Sequence, residues 1–184
     1  MKQFFSFILL ISCGYFSYSQ QQAWPKVIQP TDDTFHWNAG RKLTWEDFKG
    51  IPDTSDKAAA ASTASTLGYN YTYTPDTTFH FFTYAIFVKN YSWVKEGWDR
   101  TAYELNHEQR HFDITEIYAR KLAMAFKRYK LNKNDRKRIY DSLSTEWDKI
   151  QDLYDKETKH SINIEKQKEW DKKIDGLLKE YERK

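Results

Sequence analysis

The sequence predicts an α+β domain in which a small antiparallel sheet comes first and three helices follow. Three observations carry that expectation. All four prolines, Pro25, Pro30, Pro52 and Pro75, come early, while the chain from Thr101 onward has no proline and only Gly176 as a breaker. The early part holds two stretches that read as strands, one alternating and one apolar on both faces. Beyond Thr101 the apolar residues recur at spacings of three and four, the period of packed helices.

The chain opens with Lys2 and an apolar run too short to span a bilayer, and Ser17 and Ser19 stand three and one residues before a cleavage point at Gln20. That is the pattern of a secretory signal peptide over residues 1–19. Leu10-Ile11-Ser12-Cys13-Gly14 also fits a lipoprotein cleavage box, which would leave Cys13 acylated as an anchor. The expected location is therefore secreted or periplasmic, with a lipoprotein held through Cys13 as the alternative. Removing 19 of 184 residues leaves 165, enough for one domain with a core of its own. Cys13 is the single cysteine, so neither disulfides nor a thiolate zinc site can hold the mature chain together. Of 29 basic residues 28 remain without Lys2, against 26 acidic ones, a balance that excludes the basic profile of a nucleic-acid binder. No later apolar run reaches the roughly 18 residues of a membrane helix.

Residues 20–40, rich in Gln and then Thr31-Asp32-Asp33-Thr34, are expected as a loosely ordered lead-in, with residues 41–184 as one domain. Lys42 to Gly50 reads as a short strand, a helical turn capped by Thr44 that carries the core aromatics Trp45 and Phe48, and a stop at Gly50. Ala58 to Thr66 is small and hydroxyl-bearing and leads into the alternating Leu67 to Thr74; Pro75-Asp76 turns the chain; Phe79 to Val88 is apolar on both faces. These form a hairpin with 79–88 central and 58–74 nearer an edge. Ala58 to Ser65 is either a plain edge or a strip where an extended peptide could add as a strand.

Thr101-Ala102-Tyr103-Glu104 is a capping box that starts the first helix, and Asn132 to Asp135 breaks it. A second helix carries Ile139, Leu143, Trp147, Ile150 and Tyr154 and closes across Asp155 to Ser161. Asn163 caps a third, with Ile164, Trp170, Ile174, Leu177, Leu178 and Tyr181 on its apolar stripe. The Lys- and Arg-rich corner from Lys127 to Arg138 would suit a metal-free interaction protein touching anionic surfaces, although such runs are usually solvated.

One turn into the first helix stands His107-Glu108-Gln109-Arg110-His111. Residues four apart share a helix face with Cβ atoms roughly 5–6 Å apart, so both histidines can reach one metal at about 2.0–2.1 Å. Glu108, to one side, can take a proton from a water activated by that metal. His107, His111, Ile114, Tyr118, Leu122 and Ala125 form one stripe, with Glu108 on its shoulder beside Ala119 and Phe126 and the polar Gln109, Asp113, Glu116, Arg120 and Lys127 opposite. The histidines thus lie on the buried face, where an unpartnered Glu108 carboxylate would be costly.

A third ligand must come from elsewhere, because Ile114 and Ile117 stand where the long metzincin pattern has Gly and His. The remaining histidines are His36, His80 and His160, and the acidic candidates are Glu146, Asp155 and Glu157. His160 is favoured, since its helix would return antiparallel to the first and bring that end beside His107. Tyr154 is either a donor to an oxyanion or a core tyrosine.

The residues Trp45-x-x-Phe48-x-Gly50, Ser92-Trp93, Leu105 to Ile114 with Ala119-Arg120-x-Leu122, and Tyr154-Asp155-x-Glu157-Thr158-x-His160 resemble a bacterial family, domain of unknown function 922, described as secreted zinc-dependent proteases. The resemblance covers about residues 40 to 175. It implies His107 and His111 as zinc ligands, Glu108 as base and His160 as third ligand; it implies no particular substrate.

The expectation is then a zincin-like α+β domain that hydrolyses peptide bonds with zinc (Zn2+) and Glu108, acting on a peptide or protein. The alternative is a non-catalytic secreted protein in which zinc, or a buried histidine pair, only stabilises the helical core for partner binding.

Overall fold

The computed structural model describes residues 31–55, 57–73, 79–127 and 133–182. The leader at 1–19, Cys13, residues 20–30 of the lead-in and residues 128–132 of the basic corner lie outside these. No described helix is long and apolar enough to cross a membrane.

The described chain runs through strands β1 (Thr34–His36), β2 (Ala61–Ser62), β3 (Ser65–Tyr73), β4 (Phe79–Val88) and β5 (Trp93–Val94), then helices α1 (Ala102–Lys127), α2 (Lys133–Thr158) and α3 (Ile164–Glu180). β4 is central in an antiparallel sheet of order β1-β4-β3. It pairs with β3 from Ser65↔Phe87 to Tyr73↔Phe79, the expected hairpin. Its central place explains its composition, since Tyr84, Ala85, Ile86 and Phe87 are all buried. Gly68 is required opposite Tyr84, because a Cβ there would stand 2.5 Å from the tyrosine ring.

Two expectations are corrected near the N-terminus. Thr34–His36, inside the expected lead-in, forms the third strand of the sheet and pairs with Ile86 to Val88. Phe35 anchors it, with its ring centroid 5.1 Å from that of Phe87 and 5.9 Å from that of Phe112. A three-residue strand is too short to display an alternating pattern. The short strand expected at Lys42-Leu43 does not form; the buried Leu43 gives its N–H to the Gln109 side chain of α1 at 2.8 Å. The turn after it is as expected: a single 3-10 turn over Trp45–Asp47, with the Thr44 N–H donating to Asp47 at 3.0 Å. Gly50 follows where a Cβ would meet the Asn90 and Ser92 carbonyls at 2.9 Å.

α1 starts where the capping box predicts, the Thr101 hydroxyl accepting from the Glu104 N–H at 3.1 Å. It is covered on several sides. The sheet packs on it through Phe87 and Phe112, and the Thr83 hydroxyl donates to the Ala119 carbonyl at 2.6 Å. α2 runs antiparallel to it, and each step of four along one helix meets a step of four along the other: Trp147 reaches Thr115, Gln151 reaches His111, and Asp155 reaches His107. α3 runs alongside, with Gln167 at His107 and Asp171 at Arg110.

This wrapping buries the polar face of α1, which a two-sided amphipathic reading would leave in water. Gln109, Asp113, Glu116 and Arg120 are all buried. Each finds a partner: Trp37 Nε1 and Gln109 donate to Asp113 at 2.7 and 2.8 Å, Arg110 bridges Asp113, Asp171 and Asp175, and Arg120 pairs with Glu116 at 2.8 Å. Buried charge is tolerated only with such pairing.

Candidate metal centre

His107 and His111 stand one above the other on α1, one turn past its capped start, with ring centroids 4.9 Å apart. Across the groove between α1 and α2, Asp155 Oδ1 lies 3.2 Å from His107 Nε2 and 3.0 Å from His111 Nε2. The donor atoms of these three residues all lie within 4.8 Å of one another. Tetrahedral ligands at about 2.0–2.1 Å from zinc stand about 3.3 Å apart, so the spacing already suits one metal ion.

The outer hydrogen bonds settle which histidine nitrogen can bind. Gln167 Nε2 donates to the Asp171 carboxylate at 3.0 Å, so its Oε1 is the atom that faces His107 Nδ1 at 2.9 Å. Gln151 Nε2 donates to the His111 carbonyl at 3.0 Å, so its Oε1 faces His111 Nδ1 at 2.7 Å. Carboxylate and carbonyl oxygens only accept, and each amide orientation follows from that. Both imidazoles must therefore donate from Nδ1, which leaves both Nε2 atoms aimed at Asp155. Carboxamide-held imidazoles of fixed tautomer are the outer shell a histidine–metal site uses.

The charges agree. Burial works against a charged His111, yet the hydrogen bond and charge of Asp155 and the charge of Glu108 raise its pKa to about 9. Burial likewise works against a charged Asp155, but the hydrogen bonds from His107 and His111 hold its carboxyl well below the usual carboxylate range. The site is thus built to concentrate positive charge at one point, as a proton or as a metal ion.

Glu108 is buried, and Thr63, from the connection between β2 and β3, donates to its Oε2 at 2.7 Å. The partner that α1 itself cannot supply comes from the sheet side. Glu108, His107, His111 and Asp155 line one cleft of about 460 Å³, with Ala59 to Ser65 as one wall and α2 as the other.

Each residue singled out by sequence has a definite place. His160 also lines the cleft, with Nδ1 3.4 Å from Asp155 Oδ1, but it is outside the group whose donor atoms are all mutually close. It is carried there by Lys159, His160 and Ser161, three consecutive residues at positive φ of 51°, 48° and 72°. The Tyr103 hydroxyl pins that turn through the Ser161 carbonyl at 2.5 Å. His36 lies on β1, and His80 on β4 faces solvent; neither is at the cleft. Glu146 and Glu157 are also absent from the cleft wall, and Glu157 accepts from Trp170 instead. Tyr154 takes the core role: it is fully buried, stacks on His107 at 4.7 Å, and bonds through its hydroxyl to Gln167.

Sequence reasoning missed Gln151, Gln167 and Thr63 and set Asp155 below His160. A signal for two of them was present, because Gln151 and Asp155 repeat on α2 the spacing of four that His107 and His111 have on α1. No family model, no curated protein and no solved structure matches this chain. Its function is therefore to be read from the geometry of the site.

Proposed function

We propose that the protein is a secreted zinc-dependent peptide-bond hydrolase in which His107, His111 and Asp155 hold the metal and Glu108 is the general base. One observation carries the reading: both Nε2 atoms, with Nδ1 of each ring committed to a glutamine, meet a single Asp155 oxygen beside a buried carboxylate in an open cleft. Three protein ligands leave a position for water and substrate, as catalytic zinc sites do. Zinc, when bound, supplies Lewis acidity and makes a water nucleophilic near neutral pH.

The chain's own residues do the rest. Asp155 and the two imidazoles offset the charge of the ion, and Gln151 and Gln167 keep the rings in the binding tautomer. Thr63 holds Oε2 of Glu108, leaving its other oxygen to take the proton of the attacking water and return it to the leaving amine. The wall from Ala59 to Ser65 has only small side chains, so an extended peptide can approach its backbone. A leader over residues 1–19 would carry the enzyme out of the cytoplasm.

A second reading rests on His160. If its Nδ1, 3.4 Å from Asp155, also ligates, as the sequence leads one to expect, the set closes and zinc only ties the helices together. The two readings separate on zinc-loaded protein incubated with a peptide mixture and followed by mass spectrometry. Hydrolysis by the wild type that falls at least about a hundredfold in Glu108→Gln, with zinc content unchanged, supports the hydrolase. Equal inactivity of both, with one zinc retained, supports the closed site.

A further inference from the structure

Behind the metal centre, side chains from two helices form one connected unit. His107 and Arg110 are three apart on α1, and Gln167 and Asp171 are four apart on α3, so each pair shares one face of its helix. The two faces meet. Gln167 Oε1 lies 2.9 Å from His107 Nδ1, and Arg110 Nε donates to Asp171 Oδ1 at 3.0 Å. The same Asp171 oxygen accepts from Gln167 Nε2 at 3.0 Å and from the Asn106 side chain at 3.1 Å. Asp171 itself belongs neither to the metal-holding group nor to the cleft wall.

Gln167 is fully buried, and its neighbours decide which way its amide points. Two of them are indifferent. An imidazole can donate or accept at Nδ1 according to its tautomer, and the Tyr154 hydroxyl, 2.6 Å from Nε2 and 2.9 Å from Oε1, can also do either. Among its described partners only the Asp171 carboxylate, which accepts and cannot donate, tells the two ends of the amide apart. It draws the NH2 group to itself and leaves Oε1 to face His107. His111 needs no such device, because its Gln151 is oriented by a main-chain carbonyl that no substitution removes.

From this we infer that Asp171 is a positioning residue of the metal centre: acting through Gln167, it keeps the His107 proton on Nδ1 and the Nε2 lone pair open to the metal. This role rests on the reading of His107, His111 and Asp155 as metal ligands. Without Asp171 the amide is free to turn its NH2 group towards Nδ1. That favours the tautomer with its proton on Nε2, where it stands in the metal's place.

A chelator competition measures zinc affinity in the wild-type chain and three variants. Asp171→Ala should weaken zinc binding about tenfold, while Arg110 keeps Asp113 and Asp175 and the helices stay paired. Asp171→Asn, whose oxygen Arg110 and Asn106 would hold in the same place, should recover most of the loss. Asp175→Ala removes an Arg110 bond of 2.7 Å without touching Gln167, and should bind zinc as the wild type does. Cobalt in place of zinc gives a second readout, because each ligating imidazole then shows its Nδ1 proton as a strongly shifted, exchangeable resonance. In Asp171→Ala the His107 resonance should exchange faster with solvent while that of His111 is unmoved. Unaltered zinc affinity in Asp171→Ala, an equal loss in Asp175→Ala, no recovery in Asp171→Asn, or two resonances that respond alike overturns the role of Asp171 and leaves the metal centre standing. A wild-type chain that takes up no zinc overturns both.

Discussion

At the scale of the residue, the site's behaviour is set by where its protons sit. His111 carries its proton up to a pKa of about 9, against an ordinary value of 6.5. A folded-state pKa raised in this way stabilises the metal-free fold below pH 6.5, and that contribution is lost as pH rises through about 9. A metal must displace the same proton, so apparent zinc affinity should rise with pH up to about 9 and fall steeply in mild acid, with proton release on binding. Titrations of zinc at several pH values check this; a pH-independent affinity between 6 and 9 would contradict it. The glutamines supply a second prediction. Gln151→Leu removes the acceptor of His111 Nδ1 and frees the ring to change tautomer, so zinc affinity should fall about tenfold to a hundredfold. A competitive chelator titration measures the change, and an unaltered affinity would remove Gln151 from the site.

The helix elements show how much the sequence could tell. Period and caps placed the three helices, because a start at Thr101 and a cap at Asn163 are local chemistry, with Asn163 accepting from the Lys166 N–H at 3.2 Å, whereas Lys133 to Asp135, expected as part of a break, already belong to α2. The His-Glu-x-x-His face was legible for the same reason. The contribution of α2 was not, because Asp155 becomes a candidate ligand only once the pairing of α1 with α2 is known. A single sequence also cannot distinguish a polar face in water from one covered by Trp37 and α3, and Asp113 and Glu116 were misread on that account.

The end of α2 is the element's other feature. Helices commonly close on one glycine at positive φ, whereas this one closes on Lys159, His160 and Ser161. Such conformations cost a non-glycine residue roughly 1–2 kcal/mol. They persist where surrounding contacts demand them. Here the outcome is His160 at the cleft. Lys159 is exposed, so Lys159→Gly should relieve strain without removing packing, raising stability by about 0.5–1 kcal/mol. Thermal unfolding of the two proteins tests it, and a lower midpoint in the glycine variant would mean that the lysine side chain contributes more than the strain costs.

For the molecule as a whole, the sheet, α1 and the α2–α3 pair meet at one point, and the groups that hold it come from each. Thr63 comes from the sheet side, His107 and His111 from α1, Gln151 and Asp155 from α2, and Gln167 from α3. A metal bound there joins segments far apart in sequence and binds only the folded chain, so zinc should raise the unfolding temperature and a chelator should lower it. The metal centre itself is tested by a zinc titration of metal-free wild-type protein beside Asp155→Ala and His160→Ala. One zinc should bind per wild-type chain, with that site lost in Asp155→Ala and retained in His160→Ala; an Asp155→Ala variant that binds zinc as tightly as the wild type would contradict the assignment.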